Sequence, residues 1–483
     1  MPRTIRFRFD TDATRRMQEV QQFYLDNDGF YGEHQKRAGH GFPIGTYQLP
    51  THGKLDAQLL ASDLDRHALV LGSTGTGKSS LLEQLARMCF ATGRGCALID
   101  PHGDLFQRVT AWALHAEIPD LTILDFTRPE LLPGWNPLKP LPGVDPGRQV
   151  DLLIGIFKRL YGDEEARSWN FGVKVEEILR FSFRACIESE VPATIDTLRS
   201  FLLIPALRSR LLATASADVR FYFHERFKNR EENFVPAVLN KLEPFLGSMA
   251  VQRFLGQPTN TVDPLAIMDR GGTLLVNLAK GYLGPTADIL GRLLMNALEL
   301  GALRREGIPP EQRTPYTLLV DEAHTFAGSD GALDVLLTAA RKYRLSLVLA
   351  AQALALFPTR FQTIALGNAG HQFLFRLPQK EAQHLAHDLF EPQGNVLRPR
   401  LHAHDKIEYL TPSEEIAART KELANLPIGA CYWLDRGKPY KARRIQVRPP
   451  DELPFPLRDL NDGIARRMER QRRSGMRQDD SRK

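Results

Sequence analysis

The sequence predicts an α/β fold with a mostly parallel sheet, interrupted by a segment that is entirely helical. Three observations predict it. Short apolar runs, "HALVLG" (67–72), "GCALID" (95–100) and "LTILDF" (121–126), alternate with helical stretches, the rhythm of strands covered on both faces. From about 145 to 255 that rhythm stops, and "VDLLIGIFKRLYG", "VKVEEILRFSFRACIE" and "ATIDTLRSFLL" repeat apolar residues three and four apart. It then resumes with "GGTLLVNL" (271–278), a helix over 287–305, "YTLLVDEAH" (316–324), "LSLVLAA" (345–351) and "HQFLFRL" (371–377).

Taken in order, residues 1–60 are a mixed strand and loop segment. "TIRFRF" alternates Ile5, Phe7 and Phe9 with Arg6 and Arg8, a strand with one basic face. The stretch 27–53 is rich in Gly, His and Pro and reads as loop. The nucleotide-fold domain is expected over 61–144 and 259–447, with an all-α domain inserted at 145–258. The prolyl stretch "RPPDELPFP" opens a basic tail, 448–483, expected to be disordered.

With 483 residues, 43% apolar and 25% charged, the chain has the composition of a soluble globular protein with room for more than one domain. The most apolar stretch, "LSLVLAAQALALF" (345–357), is too short to span a membrane and is broken by polar groups. The N-terminus "MPRTIRFRFD" lacks a secretory apolar core. Cys89, Cys96, Cys186 and Cys431 are scattered without a CxxC, which argues for a reducing compartment and against structural zinc, hence a cytoplasmic location. From Lys441 onward there are thirteen Lys/Arg against seven Asp/Glu, so the end of the chain carries the whole net charge of +6. Such an end suits an acidic surface such as DNA, or is simply a solvated end that favours solubility.

"GSTGTGKSS", running Gly72, Ser73, Thr74, Gly75, Thr76, Gly77, Lys78, Ser79, Ser80, matches G-x-x-x-x-G-K-[ST] between a strand and a helix. The glycines let backbone N–H groups turn inward onto phosphate oxygens, and the helix N-terminus adds partial positive charge. Lys78 suits the β- and γ-phosphates of ATP, and the Ser79 hydroxyl suits Mg²⁺. In "TLLVDEAH" four apolar residues deliver Asp321 and Glu322 to a strand end. Asp321 suits the magnesium shell and Glu322 the base that polarises water, although adjacent carboxylates at a strand end also cap helices. His324 is left without a role.

Leu333, Leu336, Leu337 and Ala340 share a helix face, with Arg341 one step beyond and Gln352 at the carboxyl edge of the following strand. Arg341 either complements the helix dipole or reaches a neighbouring subunit's site as a finger. Gln352 suits a sensor of the γ-phosphate.

Together "GSTGTGKSS", "LIDPHGD", "LLVDEAH" and "ARKYRLSLVLAAQ" resemble the HerA/FtsK superfamily of P-loop ATPases, nearest to the type IV coupling proteins of conjugation (the TraG/TraD group) and HerA-like ATPases. "FVPAVLNKLEPFL", "GGTLLVNLAKGYLG" and "GNAGHQFLFRLP" support it, over roughly 42–447. The resemblance implies a RecA-like motor domain in a homo-oligomeric ring, usually a hexamer, with ATP between subunits and DNA in a central channel. It also implies that Arg341 acts in trans, that Gln352 is the sensor and that Arg376 is a recurrent basic position. Coupling proteins usually carry N-terminal membrane helices, absent from these 483 residues, and 60 residues are short for the β-barrel of HerA. The implied function is an ATP-driven DNA translocase, possible partners being a relaxase and a secretion channel at the membrane. The other reading is a HerA-like ATPase that assembles with a nuclease or other effector in end processing or antiviral defence.

Overall fold

The computed structural model describes residues 37, 39–49, 53–141, 144–161, 172–327, 332–390, 392, 410–436 and 442–480. The strands are β1 (Phe42–Leu49), β2 (Gly53–Leu59), β3 (His67–Leu71), β4 (Gly95–Asp100), β5 (Leu121–Asp125), β6 (Thr273–Asn277), β7 (Tyr316–Val320), β8 (Leu345–Ala351), β9 (Ala369–Leu374), β10 (Ala430–Asp435) and β11 (Arg443–Val447). The class is the expected one, α/β with a largely parallel sheet. Two compact units divide the chain, Met1–Met88 with Leu347–Asp451, and Cys89–Ser346 with Glu452–Lys483.

In the first unit the strand order is β2-β1-β11-β10-β9-β3-β8. β3 runs parallel to β8 and β9, pairing Leu71 with Ala351 and with Leu374. Every residue of β3 and β8 is buried, which is why both read as unbroken apolar runs. Outward from β9 the pairing turns antiparallel through β10, β11, β1 and β2. β1 corrects the sequence reading, which made 27–53 a loop. Its turn-forming residues serve the strand itself, since the register shifts between Pro43 and Gly45, and a Cβ on Gly45 would sit 2.3 Å from the Gln446 carbonyl oxygen. The strand expected at 4–9 lies outside the described residues.

The amino ends of β3 and β9 hold a buried ionic cluster. Arg37 pairs with Asp63 at 2.7 Å and Arg66 with Asp435 at 2.7 Å. The Trp433 indole N–H donates to His371 Nδ1 at 3.2 Å, and His371 Nε2 lies 2.8 Å from the Arg66 guanidinium. The two guanidiniums neutralise the carboxylates, so this grouping of Asp63, His371 and Asp435 is an ion-pair network rather than a metal centre.

In the second unit β7-β4-β6-β5 are all parallel. The helices Val173–Glu188, Ile195–Leu203 and Val235–Leu246 bury Ile178, Leu179, Phe183, Leu198, Phe201 and Leu242 completely, each side chain worth about 1.5–3 kcal/mol of transfer free energy. Between 173 and 255 the described residues contain no strand. The tail corrects the sequence reading, because Leu457–Asp480 is a helix rather than disordered chain. Leu460, Ile464 and Met468 recur every four residues and are buried. Arg467 donates to the carbonyls of Leu121 and Pro119, and Gln471 accepts the Ile123 N–H, so the helix covers the open edge of β5. The charged residues between those apolar positions are what made the segment read as solvated.

All four cysteines are free and buried. Among the described residues no helix is long and apolar enough to cross a membrane.

Candidate functional site

In the first unit the phosphate loop leaves the carboxyl end of β3. The Gly72 N–H donates to the Ala351 carbonyl at 3.2 Å, and the Ser73 N–H donates to the Arg376 carbonyl at 2.9 Å. The loop is therefore tied to the ends of β8 and β9 on either side. Gly75 and Gly77 have φ of +72° and +117°, where a side chain would strain the backbone. Gly72 is required by space instead, since a Cβ there would lie 2.5 Å from that of Phe375.

The Lys78 ammonium folds over the loop, donating to the Gly72 carbonyl at 2.6 Å and the Ser73 carbonyl at 3.3 Å. Thr76 Oγ1 donates to the Ser73 carbonyl at 2.7 Å, which leaves Thr74 and Ser79 as the exposed side chains of the loop. This glycine cradle with a cation at its floor fits a phosphate chain, and the Ser79 hydroxyl at the first turn of the helix Lys78–Ala91 fits a magnesium ligand.

Gln352 follows β8 directly and is exposed, one residue from the carbonyl that receives the Gly72 N–H. Sequence reasoning missed what holds it. Glu381, buried in the first turn of the helix Gln379–Leu389, accepts the backbone N–H groups of Leu354 and Ala355. That carboxylate fixes the turn immediately after Gln352. In sequence it looks like an ordinary helix-start acid.

The second unit holds the other predicted residues. Asp321 is buried at the end of β7, its N–H on the Ile99 carbonyl at 3.0 Å. Glu322 follows with φ of +45°, a left-handed backbone that costs a non-glycine residue on the order of 1–2 kcal/mol and is typical of functional positions. The Asp321 carboxylate accepts the Glu322 N–H at 3.0 Å. His324, unassigned in the sequence, lies with Nδ1 3.4 Å from Glu322 Oε2. The tight turn Ala323–Thr325 brings them together, a juxtaposition that strand periodicity cannot signal.

Arg341 lies past the helix Ala332–Ala339, in the turn Ala340–Tyr343. Its neighbours are engaged. Lys342 pairs with Glu306 at 3.2 Å, and Arg344 donates to the Arg313 carbonyl at 3.2 Å. The Arg341 side chain is exposed and has no hydrogen bond or ion pair with a described residue. Two further arginines brace its turn, Arg305 on the Tyr343 carbonyl at 3.1 Å and Arg313 on the Lys342 carbonyl at 2.5 Å. The structure thus brings the loop together with Gln352, and Asp321 with Glu322, while Arg341 stands alone.

Residues 42–120 match the family model for the central domain of the helicase HerA. The chain shares its fold with the conjugative coupling protein TrwB. It superposes on the bacterial conjugative coupling protein TrwBdeltaN70 with a TM-score of 0.61 and 17% identity, covering 88% of this chain and 93% of that one. TrwB in complex with a non-hydrolysable ATP analogue gives 0.59 and 16%, covering 88% and 94%. VirB4 of Thermoanaerobacter pseudethanolicus gives 0.55 and 15%, covering 85% and 97%. No curated protein matches the chain by sequence.

Proposed function

We propose that the protein is an ATP-driven motor ATPase of the coupling-protein type, working as a homo-oligomeric ring, usually a hexamer in this superfamily, that moves DNA. The observation that carries the nucleotide reading is the cradle itself, with Gly75 and Gly77 at positive φ and the Lys78 ammonium 2.6 Å from the Gly72 carbonyl. The likeness to TrwB, solved with an ATP analogue and with ADP and Mg²⁺, supports ATP and magnesium as its ligands. In this reading 61–144 and 259–447 form the motor, into which 145–258 is inserted.

Each residue then has a role set by its chemistry. Lys78 and the N–H groups of Thr74–Ser80, in the loop Gly72–Ser80, bind the phosphates, and Ser79 and Asp321 would hold magnesium, which when bound withdraws charge from the phosphoryl oxygens. Glu322 accepts the proton of the attacking water, with His324 beside it. Gln352 senses the γ-phosphate from the end of β8. The uncommitted guanidinium of Arg341 supports its use on a neighbouring subunit, where it would stabilise developing charge.

Phosphate release with and without DNA tests the proposal. Lys78→Ala should abolish turnover, and Glu322→Gln should bind ATP without hydrolysing it. A rate per chain that rises with neither protein concentration nor DNA would sink the ring motor. The resemblance to HerA-like ATPases gives a second reading, an ATPase subunit that works with a separate nuclease. Recovery of a nuclease rather than a relaxase on purification would select it.

A further inference from the structure

The segment Pro427–Gly429 is anchored to the phosphate loop by its backbone. The Gly429 N–H donates to the Thr76 carbonyl at 2.8 Å, and the Gly429 carbonyl accepts the Val447 N–H at 2.8 Å. The Pro427 carbonyl accepts the Ala430 N–H at 3.1 Å, and the Ile428 carbonyl accepts Gln446 Nε2 at 3.1 Å. Packing is as close as the bonding. A Cβ on Gly77 would lie 3.0 Å from Gly429 Cα, and Gly429 itself has φ of +79°.

On this fixed backbone Ile428 is 68% exposed. Isolated exposed isoleucines are ordinary on protein surfaces. This one differs in being held rigidly, one residue from a hydrogen bond to the phosphate loop. The loop offers N–H groups and a cation, all of which suit phosphate. A nucleotide's base and ribose extend beyond the phosphates and require a separate, largely apolar surface.

We propose that Ile428 packs against the base and ribose of the nucleotide whose phosphates Gly72–Ser80 bind, so that Pro427–Gly429 is the nucleoside-binding part of the site. This rests on the ATPase reading and adds to it the residue that makes the site prefer a nucleoside triphosphate to a bare polyphosphate. The contact is apolar and away from the transferred phosphoryl group. It therefore acts on affinity and leaves the chemical step alone. Because Ile428 is exposed, its substitution leaves the core intact.

Calorimetric titration of the full chain with ADP and with inorganic tripolyphosphate tests this, alongside steady-state ATP hydrolysis. In Ile428→Ala and Ile428→Ser, ADP affinity and 1/KM for ATP should fall roughly fivefold to thirtyfold, with kcat and tripolyphosphate affinity unchanged. Unchanged ADP affinity would overturn the proposal. So would an equal loss for both ligands, since the segment would then only buttress the loop. A wild-type chain that binds neither ligand would overturn the ATPase reading together with this one, whereas a wild-type chain that turns over ATP beside an unaltered Ile428→Ala sinks this inference alone.

Discussion

The Arg305 guanidinium, fully buried, donates to the Tyr343 carbonyl at 3.1 Å, and so ties the end of the helix Pro285–Arg304 to the turn that carries Arg341. It also reaches the carbonyls of Met268 and Thr314 at 2.9 and 2.8 Å and the Asp269 carboxylate at 3.1 Å. Only the forked guanidinium offers donors in so many directions at once. Arg305→Lys should therefore cost about 2–3 kcal/mol through the buried carbonyls it leaves unbonded, and Arg305→Ala more. Urea unfolding measures both, and a loss under about 0.5 kcal/mol would remove Arg305 as the brace.

Arg341 is the opposite case, its side chain exposed and without a hydrogen bond or ion pair to any described residue. Arg341→Ala should leave unfolding free energy within about 0.5 kcal/mol of wild type. Turnover should fall by about 10³-fold or more if the guanidinium works on a neighbour's nucleotide. Mixing it with Lys78→Ala chains should restore part of the activity, because each variant supplies what the other lacks. An Arg that only complements its helix dipole gives no such rescue.

Glu381 binds two backbone N–H groups directly after Gln352. Glu381→Ala should lower kcat several-fold with KM for ATP little changed, since it displaces the turn after Gln352 and not the phosphate loop. Glu381→Gln keeps an acceptor oxygen and should recover most of that loss. Equal defects in both variants, matched by a lower melting temperature alone, would make Glu381 a purely structural cap.

His371 is held neutral, its pKa lowered to about 4, first by burial and then by the nearby Arg66 charge. The unfolded histidine titrates near 6.5, so between pH 6.5 and 4 the unfolded chain binds the extra proton. Stability should fall as pH drops through that window, with a slope approaching about 1.4 kcal/mol per unit from this one group. Unfolding at pH 5 and 7 checks it: His371→Gln should reduce the difference between the two, and an unaltered difference would assign the pH dependence elsewhere.

The helix Leu457–Asp480 covers β5, with Ile464 buried in the contact. Ile464→Asp should destabilise the protein by about 3 kcal/mol or more and free an edge strand to aggregate. Light scattering on mild heating reads the second effect. A soluble, fully stable variant would mean that the edge needs no cover.

The sequence by itself determined the α/β class, the tight glycine turn of Gly72–Ser80 and the position of Asp321 and Glu322 at a strand end, because local backbone demands and buried-strand periodicity are written in consecutive residues. Gly75 and Gly77 are legible for that reason, each meeting its own backbone requirement. Only the tertiary structure decided the rest. Glu381 and the turn after Gln352 are far apart in the chain, as are Arg305 and Tyr343. So are Gly429 and Thr76. β1 and the terminal helix were misread because their Gly, Pro and Arg residues resemble loop until the strand that each one covers or pairs with is known. Propensity is a local quantity, whereas the burial that overrides it is supplied by residues distant in sequence.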